Sequence, residues 1–409
     1  MTWNGIDVTY VSNVTDIDDR IIATATASGR SEPEVAAEFE AQWWQSMTAL
    51  GVARPTHAPH ATEYISEMVE LITRLINRGV AYETSDGVYF DVSRVPDYGL
   101  LAGQPLDSLR SGARVESSDE KRSPMDFALW KKAKPGEPTW PAPVGDGRPG
   151  WHTECVVMSL ALLGQGFDLH AGGQDLKFPH HENERAQAVA DGVDFARRWD
   201  HNGWVEVGGQ KMGKSLDNFT TLVDLLERTD QRAYRLLVLR SHYRLPIEVS
   251  PATIADAERA LERLDSLARR FSLRELAGER IERRAQFDWT DETCELADRF
   301  AEIIDNDLDT PRALALIFDA VTSANARADA GERERAQALA DAVAALLSSL
   351  GLPLLSRTAS GDSGAQSLVK ERDAARARRD FAEADRLRDE LVRLGWTVED
   401  STSGTVIRR

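Results

Sequence analysis

Cysteine is nearly absent from this chain: two residues, Cys155 and Cys294, among 409. So few thiols exclude a disulfide-stapled scaffold and predict a reducing, cytoplasmic setting. Long apolar runs are also missing. The best stretch, residues 156–163, is far short of the roughly 20 residues that a spanning helix needs, so no membrane partner is expected. The first twenty residues carry Asp7, Asp16, Asp18 and Asp19 and no basic lead into an apolar segment, which argues against a secretory signal. Positive charge is the third shortage. With 49 basic against 67 acidic residues the formal net charge is −18, which repels nucleic acid at long range, so any such partner must be met by local patches. Residues 367–409, with ten basic and nine acidic side chains, are close to balance.

What is present is a globular composition, 28% charged and 42% hydrophobic, in a chain long enough for several cores. Val8, Tyr10 and Val11 predict a short strand, followed by a polar, turn-prone loop over residues 13–19. Apolar residues four apart (Val35, Phe39, Trp43, Met47) predict a helix over 33–50, and Ile65, Met68, Leu71, Ile72 and Leu75 predict another over 61–78. Alternation at Val88, Phe90 and Val92 reads as a strand, and proline and glycine between 134 and 143 mark a long connection. Residues 167–170 read as a buried strand ending in Ala171-Gly172-Gly173, where Gly172 and Gly173 let a nucleotide approach the backbone. After residue 220 helical spacing dominates, over 252–271, 291–305, 311–328 and 333–350. Cys294 lies off its helix's apolar stripe and reads as an incidental thiol. Residues 356–366 read as a linker. A last helix with the stripe Phe381, Ala384, Leu387, Leu391 and Leu394 then leads to a strand-like tail at 405–407.

Four motifs carry chemistry. Trp151-His152-Thr153-Glu154-Cys155 supplies a thiol, and His180 with Glu184 stand four apart, so a helix places them on one face. Thiolate, imidazole and carboxylate are a zinc donor set, and three protein ligands would leave a position open for substrate. Asp168, His170, His181 and Glu182 are available as outer partners or competing ligands. Lys211-Met212-Gly213-Lys214-Ser215 sets two ammonium groups three residues apart beside Gly208 and Gly209, suited to clamping phosphate as charge moves onto a leaving pyrophosphate. In the C-terminal unit Arg372, Arg376 and Arg379 fall on one helical face with Trp396 nearby, a set able to meet phosphates and stack a base.

Residues 13–19, Gly147-Arg148-Pro149-Gly150 continuing into Trp151 to Cys155, Phe178-Pro179-His180-His181-Glu182-Asn183-Glu184, and the lysine loop together resemble the cysteinyl-tRNA synthetases, class I aminoacyl-tRNA synthetases. The resemblance runs from residue 6 to residue 409 and extends to Asp309-Thr310-Pro311-Arg312 of the helical region. It implies an α/β fold with a class I Rossmann-type core, a connective insertion, a helical bundle and a small C-terminal α+β unit. The implied boundaries are 1–54 for the remaining first Rossmann half, 55–145 for the insertion, 146–210 for the second half with the zinc site, and 211–285 for the lysine loop and stem contacts. The bundle would then occupy 286–355, the linker 356–366 and an anticodon-binding-like unit 367–409.

The implied reaction joins L-cysteine to ATP as an adenylate and transfers it to tRNA(Cys), by a monomer. Zn2+ held by Cys155, His180 and Glu184 would bind the substrate thiolate, a discrimination against serine that makes editing unnecessary. Thr15, Trp151 and Asp175 would face the amino acid; Lys214 would contact ATP, with its Mg2+, and Lys211 would assist. The sequence departs from the family pattern at Ala171, Gly213 and Asp217. It also lacks the family's opening strand, with a further cysteine ligand, and the phosphate-binding segment after it, which predicts poor or no activation of cysteine and a fourth zinc ligand outside this chain. Two other readings share the motifs: a ligase joining cysteine to an amino sugar, as in the mycothiol pathway, and a non-catalytic tRNA-binding paralogue.

Overall fold

A computed structural model describes residues 1–103, 120–213, 221–273, 287, 289–355, 363–378, 380–394, 396–401 and 404–408. It divides into two compact units, Met1–Ala255 and Asp256–Arg409, a boundary that falls inside the segment 211–285 expected from sequence.

In the first unit the expected strand at 8–11 is an extended segment that meets a parallel neighbour only at bridge points, Val11 with His57 and Val14 with His60. The polar loop ends earlier than its composition suggests, because Asp18 caps a helix. Its carboxylate accepts from the Arg20 and Ile21 amides, starting α1 (Asp19–Ser28), and Gly29 closes it in the left-handed conformation with φ 64°. Only Ile22 and Ala25 of α1 are buried, so the apolar pattern gave it no signal. Then α2 (Glu32–Ala49) opens on a Ser31/Glu34 capping box. Of its predicted stripe only Val35 is buried, while Phe39 and Trp43 are more than half exposed.

The third helix, α3 (Ile65–Asn77), follows the periodicity closely: Ile65, Met68, Leu71, Ile72 and Leu75 are all buried. They pack in one core with an antiparallel sheet of β1 (Ala81–Glu83), β2 (Gly87–Phe90), β3 (Phe127–Lys132) and β4 (Gly147–Pro149), in that order. Trp130 of β3 is fully buried and donates its indole N–H to the Gly145 carbonyl at 3.0 Å. From β4 the chain enters α4 (Trp151–Leu163) directly, then β5 (Leu169–Gly173), a tight turn at Lys177–His181 and α5 (Glu182–Asp191). β5 pairs in parallel with β6 (Arg198–Asn202), the regular parallel ladder of the Rossmann-type core. A three-stranded sheet orders β8 (Gln210–Lys211), β7 (Val205–Val207) and β9 (Ile247–Glu248). Between its strands lie α6 (Leu222–Leu226) and α7 (Gln231–Leu239).

The second unit is helical, as its spacing predicts. α8 (Pro251–Arg270), α9 (Asp291–Asp305), α10 (Thr310–Asp329) and α11 (Arg333–Ser349) match the four expected ranges to within a residue or two. Alanines at the contacts, such as Ala320, Ala324, Ala340 and Ala345, let their axes approach closely. α12 (Ser363–Ala377) and α13 (Phe381–Arg393) then pack with a hairpin of β10 (Thr397–Ser401) and β11 (Gly404–Arg408). On α13 the stripe narrows to Ala384, Leu387 and Leu391. Phe381 and Leu394 lie at the helix ends and stay exposed. Among the described residues no helix is long and apolar enough to cross a membrane.

Candidate active site

Backbone crowding sets the position of α4. A Cβ on Gly150, the residue before the helix, would lie 2.0 Å from the Ala128 carbonyl oxygen, so only glycine lets β3 pass this closely against the helix start. The first turn of α4 then delivers Trp151, His152, Glu154 and Cys155. The turn at Lys177–His181 and the first residues of α5 deliver His180, His181 and Glu184 from the other side, and β5 delivers His170.

The three predicted ligands converge. One ligand atom each from Cys155, His180 and Glu184 lie within 4.8 Å of one another, all three residues buried. A second group, His170, His181 and Glu184, meets the same limit and shares the carboxylate. Glu184 Oε1 is 2.8 Å from His180 Nε2 and Oε2 is 2.7 Å from His170 Nε2. Yet neither oxygen accepts a hydrogen bond of sound geometry, although both are fully buried. Buried oxygen, nitrogen and sulfur atoms turned on one point are a set that a cation between them would hold together. The sulfur, nitrogen and oxygen donors fit Zn2+.

The electrostatics agree with that fit. Burial alone would raise the Glu184 carboxyl, but His180 and His170 outweigh it and hold the group well below the usual carboxylate range. Burial, and then Glu184, push the Cys155 thiol well above its ordinary value. A divalent cation inverts this, deprotonating a coordinating thiol outright. Burial also lowers His152 and His181, each to about 3, so both imidazoles are neutral and able to accept hydrogen bonds.

Trp151, Asp175 and Lys211 line one cleft of about 850 Å3 together with His152, Asp19 and Arg148. Trp151 is half exposed, with its ring 4.0 Å from the His180 ring, making a wall between the ligand cluster and the cleft. Lys211 Nζ donates to Asp175 Oδ2 at 3.0 Å. Lys214 lies outside the described residues. Thr15 lines a separate depression with Asn13, Phe39 and Trp43, and its side chain hydrogen-bonds the Glu154 carboxyl. Glu154 is itself buried, and burial, followed by Asp16 and Asp18, pushes it well above the usual range.

Several expectations change. A Cβ on Gly172 would sit 2.9 Å from the His181 ring, and one on Gly173 would sit 2.6 Å from Asp175 Oδ1. These side chains already make a close approach that calls for glycine at both positions. Of the four candidate outer ligands, His170 and His181 reach the cluster. Asp168 is at the surface, paired with Arg197 at 3.3 Å, and Glu182 is spent on the Leu101 amide and Arg185. In the C-terminal unit Arg372 is buried and donates to Thr405 Oγ1 at 2.5 Å, because its face of α12 packs on β11. Trp396 is also buried, against Ala365, Leu391 and Ile407. Neither side chain is presented to a tRNA. Arg376 remains half-buried, and Arg379 lies outside the described residues.

Two neighbours of the ligands were not picked out from sequence. His152 Nδ1 faces His180 Nδ1 at 2.8 Å, and Asn13 Nδ2 donates to Cys155 Sγ at 3.6 Å. His152 is three residues before Cys155 on one helix, a spacing that puts both on one face. Cys294 is half-buried on α9 and joins no metal-binding group among the described residues.

Residues 1–259 match the family model described as tRNA synthetases class I (C) catalytic domain, residues 299–355 the DALR domain, and residues 359–408 the cysteinyl-tRNA ligase anticodon binding domain. The cysteine–tRNA ligase of Dechloromonas aromatica is 44% identical over 422 residues, which cover 99% of this chain and 88% of the relative. That of Alkalilimnicola ehrlichii is 45% identical over 417 residues, 99% and 87% of the two chains. Among solved structures, Mycobacterium tuberculosis methionyl-tRNA synthetase bound by methionyl-adenylate aligns with a TM-score of 0.58 at 16% identity, over 92% of this chain and 89% of that one. That likeness carries the class I fold. The anticodon-binding match over 359–408, with the relatives, favours cysteine–tRNA ligase over the amino-sugar ligase and the non-catalytic paralogue. The chain belongs to the cysteine–tRNA ligase family of class I aminoacyl-tRNA synthetases.

Proposed function

We propose that Cys155, His180 and Glu184 form the amino-acid-selecting metal site of a cysteine–tRNA ligase, and that this cluster, Asp175 and the lysine loop divide the work of the reaction. In the first step the cysteine carboxylate displaces pyrophosphate from ATP. In the second a ribose hydroxyl at the tRNA 3′ end attacks the activated carbonyl and releases AMP. Bound by the three residues, Zn2+ supplies a soft electrophile that the substrate thiolate can ligate and a serine hydroxyl cannot match. Asp175 receives the α-ammonium of the amino acid, Trp151 closes the wall beside it, and Thr15 orients the segment before α1 against Glu154. Lys211 turns to the phosphates, with Lys214 following it, and their charge offsets what builds on the leaving pyrophosphate.

The observation that supports this reading most strongly is the Glu184 carboxylate, buried and approached by two imidazoles and the Cys155 group. Cysteine-dependent exchange of pyrophosphate into ATP, followed by charging of tRNA(Cys), tests it. One tightly held zinc per chain and discrimination of cysteine from serine are expected. Equal exchange with serine, or full exchange after the zinc has been stripped, would overturn it.

A further inference from the structure

His152 and His180 face each other through their Nδ1 atoms at 2.8 Å. Two ring nitrogens at that distance share one proton, so one imidazole donates and the other accepts. The choice fixes the far side of His180. If His152 donated, His180 would carry its proton on Nε2, the atom 2.8 Å from Glu184 Oε1, and would give that oxygen a hydrogen bond. Oε1 accepts none. In the other arrangement His180 donates from Nδ1 and turns the Nε2 lone pair to the place where Cys155 and Glu184 converge.

We infer that His152 is a positioning residue that accepts the His180 Nδ1–H, fixing the tautomer in which His180 binds metal through Nε2. The inference rests on the zinc reading above. The His152 ring is well braced for this. It stands edge-on to Phe127 at 5.4 Å and lies 5.5 Å from the Trp151 ring. α4 therefore carries a ligand, Cys155, and, one turn earlier, the residue that orients a ligand from another segment. A mere packing role for His152 would need its ring but not its Nδ1 atom, and this difference makes the two separable.

The test compares three proteins by zinc competition against a chelator: the unaltered chain, His152→Asn, whose amide oxygen can stand near the Nδ1 position, and His152→Leu, which has no acceptor. Loss of an outer partner to a ligating imidazole weakens metal binding by about 10–100-fold, and that loss is expected for the leucine variant with recovery in the asparagine variant. Long-range 15N–1H NMR of the zinc-loaded unaltered chain reads the tautomer directly and needs no variant to fold. Zinc on His180 Nε2 with a proton on Nδ1 is expected. Coordination through Nδ1, or a leucine variant that folds and binds zinc as tightly as the unaltered chain, overturns the inference while leaving the zinc site intact. No zinc bound by the unaltered chain would instead overturn the reading beneath it, and this inference with it.

Discussion

Lys211 Nζ stands 3.0 Å from Asp175 Oδ2, and both side chains are about half exposed. The ammonium also lies 5.4 Å from the centre of the Trp204 ring. The pair joins the start of the lysine loop to the carboxylate proposed for the substrate ammonium. An ion pair this exposed is worth about 0–1 kcal/mol, so it yields easily to a competing ammonium. On the proposed function, cysteine binding at Asp175 would release Lys211 toward phosphate in one exchange of partners. Asp175→Asn should leave stability in denaturant within about 1 kcal/mol of the parent. The cysteine KM in pyrophosphate exchange should rise on the order of 10- to 100-fold, the worth of a hydrogen bond to a charged group. An unchanged KM would remove Asp175 from the site.

Cys155→Ser keeps the size of the side chain and removes the soft donor. Its zinc affinity should fall beyond the about 10–100-fold expected for an outer partner, with helix content by circular dichroism unchanged. If equilibrium dialysis shows zinc still held at parental affinity, the sulfur is not a ligand.

Away from the cleft, His60 and Glu40 make a partly exposed pair at 2.9 Å. The Glu40 hydrogen bond raises the His60 pKa above 6.5, and the His60 hydrogen bond, against burial, lowers Glu40 below 4.5. The His60 contribution to stability is complete below 6.5 and is lost as pH rises through the raised value. The Glu40 contribution is complete above 4.5 and is lost as pH falls through the depressed one. The stability difference between the parent and His60→Gln should therefore peak between pH 4.5 and 6.5, at no more than about 1 kcal/mol. A difference that grows at alkaline pH would contradict the assignment.

In the C-terminal unit Trp396 and Arg376 should behave oppositely. Trp396→Ala opens a core site and should cost about 3–5 kcal/mol, seen as early proteolysis of the region after residue 363. Arg376→Ala should leave folding alone, weaken tRNA binding and lower its salt slope by about one. A tRNA affinity that depends on Trp396 but not on folding would restore the stacking role that its burial denies.

Periodicity and spacing were strong guides where local geometry decides the outcome. The i, i+4 relation of His180 and Glu184 survives in the fold, and Met68, Leu71 and Leu75 are buried as their stripe requires. α1 escaped notice because its start signal is one capping aspartate ahead of a threonine- and alanine-rich segment with two buried side chains. The helical spacing of Arg372, Arg376 and Arg379, with Trp396 nearby, reads as an open face able to meet phosphates and stack a base. The hairpin beside α12 buries Arg372 and Trp396 instead.

The sequence by itself determined the donor types, their helical spacing, the shortage of thiols and the lysines of the loop, since these are properties of residue identity and of a 3.6-residue repeat. Only the tertiary structure decided that Cys155, His180 and Glu184 converge, that His170 and His181 meet the same carboxylate, and that His152 faces His180 while Asp168 and Glu182 pair elsewhere. It also decided that Gly172 and Gly173 make room for His181 and Asp175. Contacts across 20 to 140 positions depend on how packed elements come to rest against each other, and no local repeat encodes that.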